Sequence, residues 1–386
     1  MEPKKAETKT EKILQQLISI PSYVDQKTDE GKIGDFVCDY LARFSHLRIE
    51  RQNLGGQRAN IIVRTPGIPN LLIAAHLDTV EPKTGWASDQ FLPQINNDKL
   101  YGLGAVDTKG GIAALLVALG EAESASGVTA LFYCDEEYHF AGMKHFLANE
   151  PKSSYTLAIV TEPTDLKIWN AHRGLIQVRL IVRGKTGHAA NPESGINAIK
   201  GLANVLRAVE HSLKKWKTRE LKQSTMNLAF MRGGLDRGAR DDRGETILGS
   251  MGNNIADYAE AVVEVRSANS KLNGQKLSEL LHQACAKENL KIEKIQIELD
   301  LQALVTEKKK LRPLELLLKN SGIKVSYLDP AKKGYSDGQL ISEKWNLPVA
   351  YLGPSGGNMH GVNEWVSLDS LRLLGDFYRV LLKRPE

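Results

Sequence analysis

The sequence is short of the features that mark secreted, membrane-bound and nucleic-acid-binding proteins. Its three cysteines, Cys38, Cys134 and Cys285, are far apart and form no CxxC pair, so a disulfide framework is not expected. The N-terminal segment MEPKKAETKTEK lacks the apolar core of a signal peptide, and no apolar run approaches the roughly 20 residues that cross a bilayer. The net charge of +5 is small and spread along the chain. We therefore expect a cytoplasmic protein without a membrane or nucleic-acid partner.

The length and the order of the apolar patterns predict two domains. A chain of 386 residues is too long for one compact core. In residues 1–172 and 302–386, buried strands such as NLLIAAH alternate with helices such as GGIAALLVALGEAES, which predicts an α/β catalytic domain with a central, mostly parallel sheet. Between 173 and 301, the order strand, helix, two strands, helix, strand predicts an inserted ferredoxin-like α+β domain.

Acids and histidines stand where several predicted strands or loops end. In an open α/β sheet the carboxyl ends of the strands line the ligand crevice, so these side chains are expected to converge. Taken singly, an aspartate after a strand is usually a helix N-cap, and a histidine there is usually structural. Taken together, the carboxylates would repel one another unless divalent cations lay between them, and imidazole with carboxylate suits zinc. The side chains are His76, Asp78, Asp107, Glu136, Glu137, Glu162 and His360.

Two close pairs within this set predict a division of labour. His76 and Asp78 are two residues apart and point to the same face of an extended chain. Asp78 can therefore accept the second ring N–H of a metal-binding His76, or lie close behind it. Glu136 and Glu137 are neighbours that point in opposite directions. One of them can bind a cation while the other stays free as a general base.

The motifs that contain these residues resemble those of a known enzyme family. HLDTV, GLGAVDTKGG, DEE, TEPT and the late GGNMHGVNE follow one another along the chain. This pattern is similar to the dinuclear-zinc aminoacylase and carboxypeptidase family, which includes acetylornithine deacetylase, succinyl-diaminopimelate desuccinylase, aminoacylase and the glutamate carboxypeptidases. The resemblance covers nearly the whole chain, the inserted domain included.

The resemblance implies a role for each of these positions. One zinc ion would be held by His76, Asp107 and Glu162. The other would be held by Glu137 and His360, with Asp107 bridging both ions. The remaining two residues would be catalytic, Asp78 by orienting its neighbouring histidine and Glu136 as the general base. Cobalt or manganese are possible substitutes for the two zinc ions.

The inserted domain would serve as a lid and a dimerisation domain. By resemblance, His188 in GKTGHAANPESGINA matches the lid histidine that reaches the active site of the partner subunit and stabilises the oxyanion. Asn254 and Arg266 match positions that contact substrate, and Arg266 suits a bidentate grip on a carboxylate. The family also implies a homodimer formed through the lid. Without the resemblance, His188 reads as a surface loop residue and Arg266 as an edge-strand arginine.

The expected activity is cleavage of the amide bond of N-acyl amino acids by metal-activated water. Glutamate at position 162 resembles the deacylase and carboxypeptidase branches, whereas amino-, di- and tripeptidases more often carry aspartate. A carboxypeptidase or dipeptidase acting on short peptides stays open, as does a non-catalytic binding module that has kept the fold. The sequence departs from the family in a long polar insertion, residues 235–252, and in lacking the proline expected shortly after Asn254.

Overall fold

The computed structural model describes residues 7–122, 127–152, 154–332 and 334–383 of the chain. The chain forms two compact units. The first consists of the residues up to Asn170, of Thr306–Asp329 and of the residues from Ser336 onwards, and the second of Ala171–Val305 with Pro330–Tyr335. Among the described residues, no helix is both long and apolar enough to span a membrane.

The secondary structure follows the predicted alternation of strands and helices. Up to Asn170 the elements are α1 (Lys9–Ile18), α2 (Gly31–Leu41), β1 (Arg48–Gly55), β2 (Arg58–Arg64), β3 (Leu71–His76), β4 (Gln94–Asn96), β5 (Lys99–Tyr101), α3 (Gly110–Gly120), β6 (Val128–Tyr133), α4 (Ala141–Asn149) and β7 (Leu157–Val160). From Ala171 to Val305 they are β8 (Ala171–His172), β9 (Gly174–Arg183), α5 (Ala198–Leu213), β10 (Lys217–Thr218), β11 (Lys222–Gln223), β12 (Thr225–Arg240), β13 (Thr246–Gly249), β14 (Tyr258–Ser267), α6 (Gly274–Lys287), β15 (Lys291–Leu301) and β16 (Leu304–Val305). The chain ends with α7 (Arg312–Asn320), α8 (Gly338–Trp345), β17 (Val349–Tyr351), β18 (Gly356–Gly357), β19 (Trp365–Ser367) and α9 (Leu368–Leu382). The end of the predicted helix GGIAALLVALGEAES, from residue 123, lies outside the described residues.

A six-stranded sheet is the centre of the first unit. Its order is β1-β2-β6-β3-β7-β17, with β6, β3, β7 and β17 parallel and β1 and β2 antiparallel at one edge. Helices α1, α2, α3, α7 and α9 bury their apolar sides against one face of this sheet. On the other face, Phe146 of α4 and Trp345 of α8 pack edge to face, with ring centroids 5.7 Å apart. This three-layer arrangement explains why the central strands are apolar on both sides.

The parallel strands deliver their carboxyl ends to one edge of the sheet. Strand β3 ends at His76, which pairs with Tyr133, the last residue of β6. Strand β7 ends at Val160, two residues before Glu162. The three strands are neighbours, so the loops that follow them leave the sheet side by side.

The second unit is built on a five-stranded antiparallel sheet with the order β13-β12-β14-β9-β15. Its main elements follow the predicted order, β9, α5, β12, β14, α6 and β15, and both helices contribute to the apolar core on one face. The polar insertion prolongs β12 and returns as β13, so that it forms a hairpin in which Leu235 pairs with Gly249 and Arg240 with Thr246. The predicted fold class is confirmed. The bounds 173–301 and the lid role stay predictions.

The segment Ala171–Val305 begins and ends at two residues of the first unit, Asn170 and Thr306, that are hydrogen-bonded to each other. Thr306 N–H donates to the Asn170 carbonyl at 2.8 Å, and the Asn170 side-chain amide donates to the Thr306 carbonyl at 2.6 Å. In the second unit, the short strands β8 and β16 begin and end the inserted segment as an antiparallel pair. Residues 136 apart in sequence are therefore joined by direct hydrogen bonds.

Candidate metal centre

Asp107 lies between two histidines that are encoded far apart. Its Oδ1 is 3.1 Å from His76 Nε2, and its Oδ2 is 3.3 Å from His360 Nε2. Asp107 is buried, and it is positioned by the turn between β5 and α3. Each of its two oxygens therefore faces a different imidazole, which is the arrangement that a carboxylate bridging two cations requires.

Of the two other predicted ligands, Glu137 contacts His360, whereas the contact observed for Glu162 is with a serine. Glu137 Oε1 is 2.9 Å from His360 Nε2. Ligand atoms of His76, Asp107 and Glu137 all lie within 4.8 Å of one another. Glu162 is buried on the β7 side, and its Oε1 accepts a hydrogen bond from the Ser336 hydroxyl at 2.9 Å.

Asp78 supports the cluster in a way that the sequence did not reveal. The ring nitrogen Nδ1 of His76 is 3.0 Å from the backbone carbonyl of Asp78 and 3.6 Å from its carboxylate. The predicted contact to the second ring nitrogen is thus made at hydrogen-bond distance by the carbonyl. The carboxylate accepts the backbone N–H of Glu136 at 3.1 Å and that of Glu137 at 2.8 Å. One buried carboxylate therefore fixes the backbone from which both glutamates project.

The histidines and the acid between them shift one another's pKa values. Hydrogen bonds to Asp107 and Glu137 raise the pKa of His360 to about 10. Burial lowers the pKa of His76, but its contacts with Asp107 and Asp78 outweigh this and raise the pKa well above its ordinary value. Burial raises the pKa of Asp107, and the two histidines more than compensate, so that this pKa falls below its ordinary value. The protonation of each of these groups therefore depends on the charge of its neighbours.

The remaining acids are pushed towards their neutral forms. Burial, followed by the charge of Glu162, raises the pKa of Glu136 well above its ordinary value. Burial, followed by the charge of Asp107, raises the pKa of Glu162 to about 8. Burial also raises the pKa of Glu137, although its hydrogen bond with His360 opposes this. Such a concentration of poorly solvated carboxylates indicates a functional site, and a divalent cation is the usual group that keeps the acids ionised.

The donor set suits zinc or a similar cation. Zinc bound at about 2.0–2.1 Å in a tetrahedron has neighbouring ligand atoms about 3.3 Å apart. The separations of 3.1, 3.3 and 2.9 Å between donor atoms of the cluster are close to that value. Imidazole nitrogens together with carboxylate oxygens are ligands that zinc accepts. Four of the five predicted ligands lie within 3.3 Å of another member of the set, namely His76, Asp107, Glu137 and His360. The fifth, Glu162, is buried in the first unit, where the charge of Asp107 acts on its pKa.

The other predicted site residues lie in the second unit. His188 is exposed, and its backbone forms an isolated antiparallel bridge with that of Asn254. Because Nδ1 of His188 accepts the N–H of Ala190 at 3.1 Å, the neutral ring carries its proton on Nε2 and can donate there. Arg266 lies on β14, where its Nε donates to Glu264 Oε1 at 2.7 Å. The catalytic and substrate-binding roles of these residues stay predictions.

Three supporting residues were missed by the sequence reasoning. Glu364 is buried and accepts the backbone N–H groups of Gly104, Val106 and Asp107 at 2.9, 2.9 and 3.1 Å, which holds the turn that carries Asp107. Ser336 fixes Glu162, as described above. Its neighbour Asp337 accepts the Tyr133 hydroxyl at 2.7 Å. The only signals in the sequence were SDG, which partly matches the family's Ser-Asp element, and an acid four positions after His360.

Curated proteins of similar sequence include a deacetylase and a carboxypeptidase. The chain is 29% identical to the acetylornithine deacetylase of Proteus mirabilis over 71% of this chain and 70% of that protein. It is 28% identical to a protein of Aspergillus clavatus described as a probable carboxypeptidase, over 65% of this chain and 60% of that protein. The matched segments therefore cover 70% and 60% of the lengths of these two relatives.

Solved structures with the same fold cover almost the whole chain. The aminopeptidase PepT of Bacillus cereus matches with a TM-score of 0.76 and 17% identity, over 97% of each chain. The YXEP protein of Bacillus subtilis, described as a dinuclear metal-binding peptidase, matches with a TM-score of 0.70 and 12% identity, over 97% of this chain and 96% of that one. At these identities the likeness concerns the fold alone. The model of peptidase family M20/M25/M40 matches residues 72–384. By this match, which spans most of its length and all the residues of the cluster, the chain belongs to peptidase family M20/M25/M40.

Proposed function

We propose that the protein is a metal-dependent amidohydrolase that removes the acyl group from N-acyl amino acids. The observation that carries this proposal is the position of Asp107, whose two oxygens lie 3.1 and 3.3 Å from two different histidines. Membership of a peptidase family supports hydrolysis of a carbon–nitrogen bond. The similarity to an acetylornithine deacetylase, together with glutamate at position 162, supports the deacylase reaction.

Two divalent cations would be held by His76, Asp107 and Glu162 on one side and by Asp107, Glu137 and His360 on the other. When bound, such cations polarise the scissile carbonyl and lower the pKa of a water molecule towards about 7. Zinc fits these ligands, and cobalt or manganese also accept them.

Glu136 is the proposed general base. Glu136 is not one of the proposed ligands, and the Asp78 carboxylate accepts its backbone N–H beside that of Glu137. Its carboxylate takes a proton from the attacking water and later gives that proton to the departing amine. Burial is the first cause of the raised pKa of Glu136, and a raised pKa makes its carboxylate a stronger base.

The second unit supplies the proposed substrate contacts. Nε2 of His188 is a donor in the neutral ring and suits stabilisation of an oxyanion. Arg266 is proposed to grip the carboxylate of the amino acid with its planar guanidinium, and Asn254 to bind polar groups of the substrate. A homodimer in which the lid histidine reaches the partner's site is part of this proposal.

A carboxypeptidase or dipeptidase is the second candidate, favoured by the relative from Aspergillus clavatus. The test is a side-by-side assay of acetylornithine, succinyl-diaminopimelate and simple dipeptides with added zinc, before and after chelation. We expect the highest kcat/KM with an N-acyl amino acid, and loss of activity on chelation. Preference for dipeptides would favour the second candidate. Absence of hydrolysis of every substrate, with two zinc ions bound, would leave only a binding module.

The variant Glu136→Gln separates catalysis from metal binding. Loss of a general base typically lowers kcat by a factor of about 10²–10⁴. Because Glu136 is not among the proposed ligands, the zinc content measured by mass spectrometry should stay that of the wild type. A variant that loses zinc as well as activity would show that Glu136 is a ligand and would refute the assignment.

A further inference from the structure

The loop that carries the proposed base is closed on itself. We call residues Cys134–Gly142 the base loop. Within it, Phe140 N–H donates to the Asp135 carbonyl at 2.7 Å, and Gly142 N–H donates to the Cys134 carbonyl at 3.1 Å. Oδ2 of Asp135 also accepts the N–H groups of two later residues of the loop at 3.1 Å. The base loop is therefore a compact turn whose direction depends on how its two ends and Asp135 are held.

Strand β2 holds both ends of the base loop through Asn60. This buried side chain accepts the N–H of Cys134 at 3.2 Å with its oxygen. Its amide group donates to the carbonyl of Gly142 at 2.8 Å. Asn60 and Arg58 are two residues apart on β2 and therefore project from the same face of the strand.

Arg58 joins the base loop to the start of α2. Its Nη2 donates to Asp135 Oδ1 at 2.7 Å. Its Nε and Nη2 donate to the two oxygens of Glu30 at 2.7 and 2.8 Å. The Glu30 side chain is 0% exposed and that of Asp135 is 3% exposed, so one guanidinium is the shared ion-pair partner of two buried acids. The planar fork of arginine suits this task, whereas a lysine ammonium acts as a single point charge.

We propose that Arg58, anchored by Glu30, is a positioning residue that fixes Asp135 and thereby the direction in which Glu136 and Glu137 leave the end of β6. The inference rests on the proposed function, because it assumes that Glu136 is the base. Asp78 holds the same two glutamates by their N–H groups from the β3 side. The base loop is thus held from both neighbouring strands of β6.

The same strand offers a matched control for this contact. Arg64 also bridges two acids, with Nη1 donating to Glu50 at 2.9 Å and Nη2 donating to Glu150 at 2.8 Å. Its side chain is 18% exposed, against 24% for Arg58. Neither of its partners belongs to the base loop. Arg64→Met therefore reproduces the loss of a bridging ion pair on β2, whereas Arg58→Met also breaks the link to the base loop and leaves two more deeply buried acids without their cation.

The experiment compares full-length Arg58→Met, Arg58→Lys and Arg64→Met with the wild type. Hydrogen–deuterium exchange of peptides that cover residues 134–142 reports on the loop directly. With zinc added, kcat, KM and zinc content are measured on the best substrate. For Arg58→Met we expect faster exchange in the loop, a kcat lower by about 10- to 100-fold and a KM within about twofold, because misplacement by about 1 Å costs that much. Arg58→Lys should lie between, and Arg64→Met should match the wild type.

The other possible outcomes also test whether Arg58 positions the base loop. If Arg58→Met does not fold, the double variant Glu30→Gln/Arg58→Met takes its place, because it removes the more deeply buried of the two orphaned acids. Equal exchange and equal kcat in the Arg58 and Arg64 variants would overturn the inference, as would a loss of zinc that accounts for the loss of rate. If the wild type hydrolyses no substrate, the proposed function fails, and the exchange comparison still decides whether Arg58 fixes the loop.

Discussion

Replacing Asp78 by asparagine should slow catalysis without removing the metal. The carboxylate accepts the N–H groups of Glu136 and Glu137 at 3.1 and 2.8 Å, and a buried hydrogen bond to a charged group contributes about 1.5–3 kcal/mol. Asparagine has one oxygen, so it keeps one of these bonds in a weaker, neutral form and turns an amide N–H towards the other donor. The combined loss is about 3 kcal/mol. If this loss appears in the transition state, kcat falls by on the order of 10²-fold.

A surface aspartate provides the control for this variant. Asp25 also accepts two backbone N–H groups, those of Lys27 at 2.7 Å and Thr28 at 2.6 Å, but at an exposed position. Steady-state kinetics and zinc content are measured for Asp78→Asn and Asp25→Asn. We expect Asp25→Asn to behave as the wild type. A kcat for Asp78→Asn within threefold of the wild type would refute the positioning role, and a loss of zinc would show that Asp78 acts through His76 instead.

Four other predictions concern the metal, the backbone, pH and the substrate. His360→Ala should lower the zinc content from about two ions to about one per chain, and metal analysis showing no change would exclude this ligand. In Gly142→Ala a Cβ would lie 2.3 Å from a backbone oxygen, so we expect kcat and the melting temperature to fall, whereas Gly252→Ala, with open space around it, should change neither. Burial lowers the pKa of His172 to about 4, below its ordinary value of about 6.5. The unfolded chain therefore binds the proton more readily than the folded chain. A stabilisation of up to about 3 kcal/mol is present above pH 6.5 and is lost as the pH falls towards 4. If this is correct, the difference in melting temperature between the wild type and His172→Gln should shrink as the pH is lowered from 8 to 4. Arg266→Lys should raise KM for a substrate with a free carboxylate by about tenfold while kcat stays within threefold, and an unchanged KM would remove Arg266 from the substrate site.

The sequence predicted the elements of the first unit because their patterns are local. The apolar run that ends at His76 is the central strand β3, which pairs with a parallel strand along each edge and is covered by helices on both faces of the sheet. The rule that ligands gather at the carboxyl ends of such strands then brought His76, Glu137 and Glu162 to one edge. His360 was also among the candidates taken from the sequence, and the family resemblance added the assignment of each residue to one of two ions, including the bridging role of Asp107.

The supporting contacts could not be predicted, because each joins segments that only the fold brings together. Glu364 accepts N–H groups from a turn about 260 residues earlier in the chain, and Ser336 reaches Glu162 across 174 residues. Arg58 lies in a strand whose sequence shows nothing unusual. The role of the Asp78 carboxylate could not be predicted either, because its partners are backbone N–H groups, which every residue except proline provides.

The hydrogen-bonded junction between Asn170 and Thr306 bears on how the chain folds. His360 must meet Asp107 although about 250 residues separate them, and closing a loop of that length is entropically costly. Once the segment between Asn170 and Thr306 has folded and its ends have met, the effective distance along the chain falls by 136 residues. We therefore expect the inserted segment to act as a folding shortcut, so that variants which destabilise it delay assembly of the metal centre even when the final centre is unchanged.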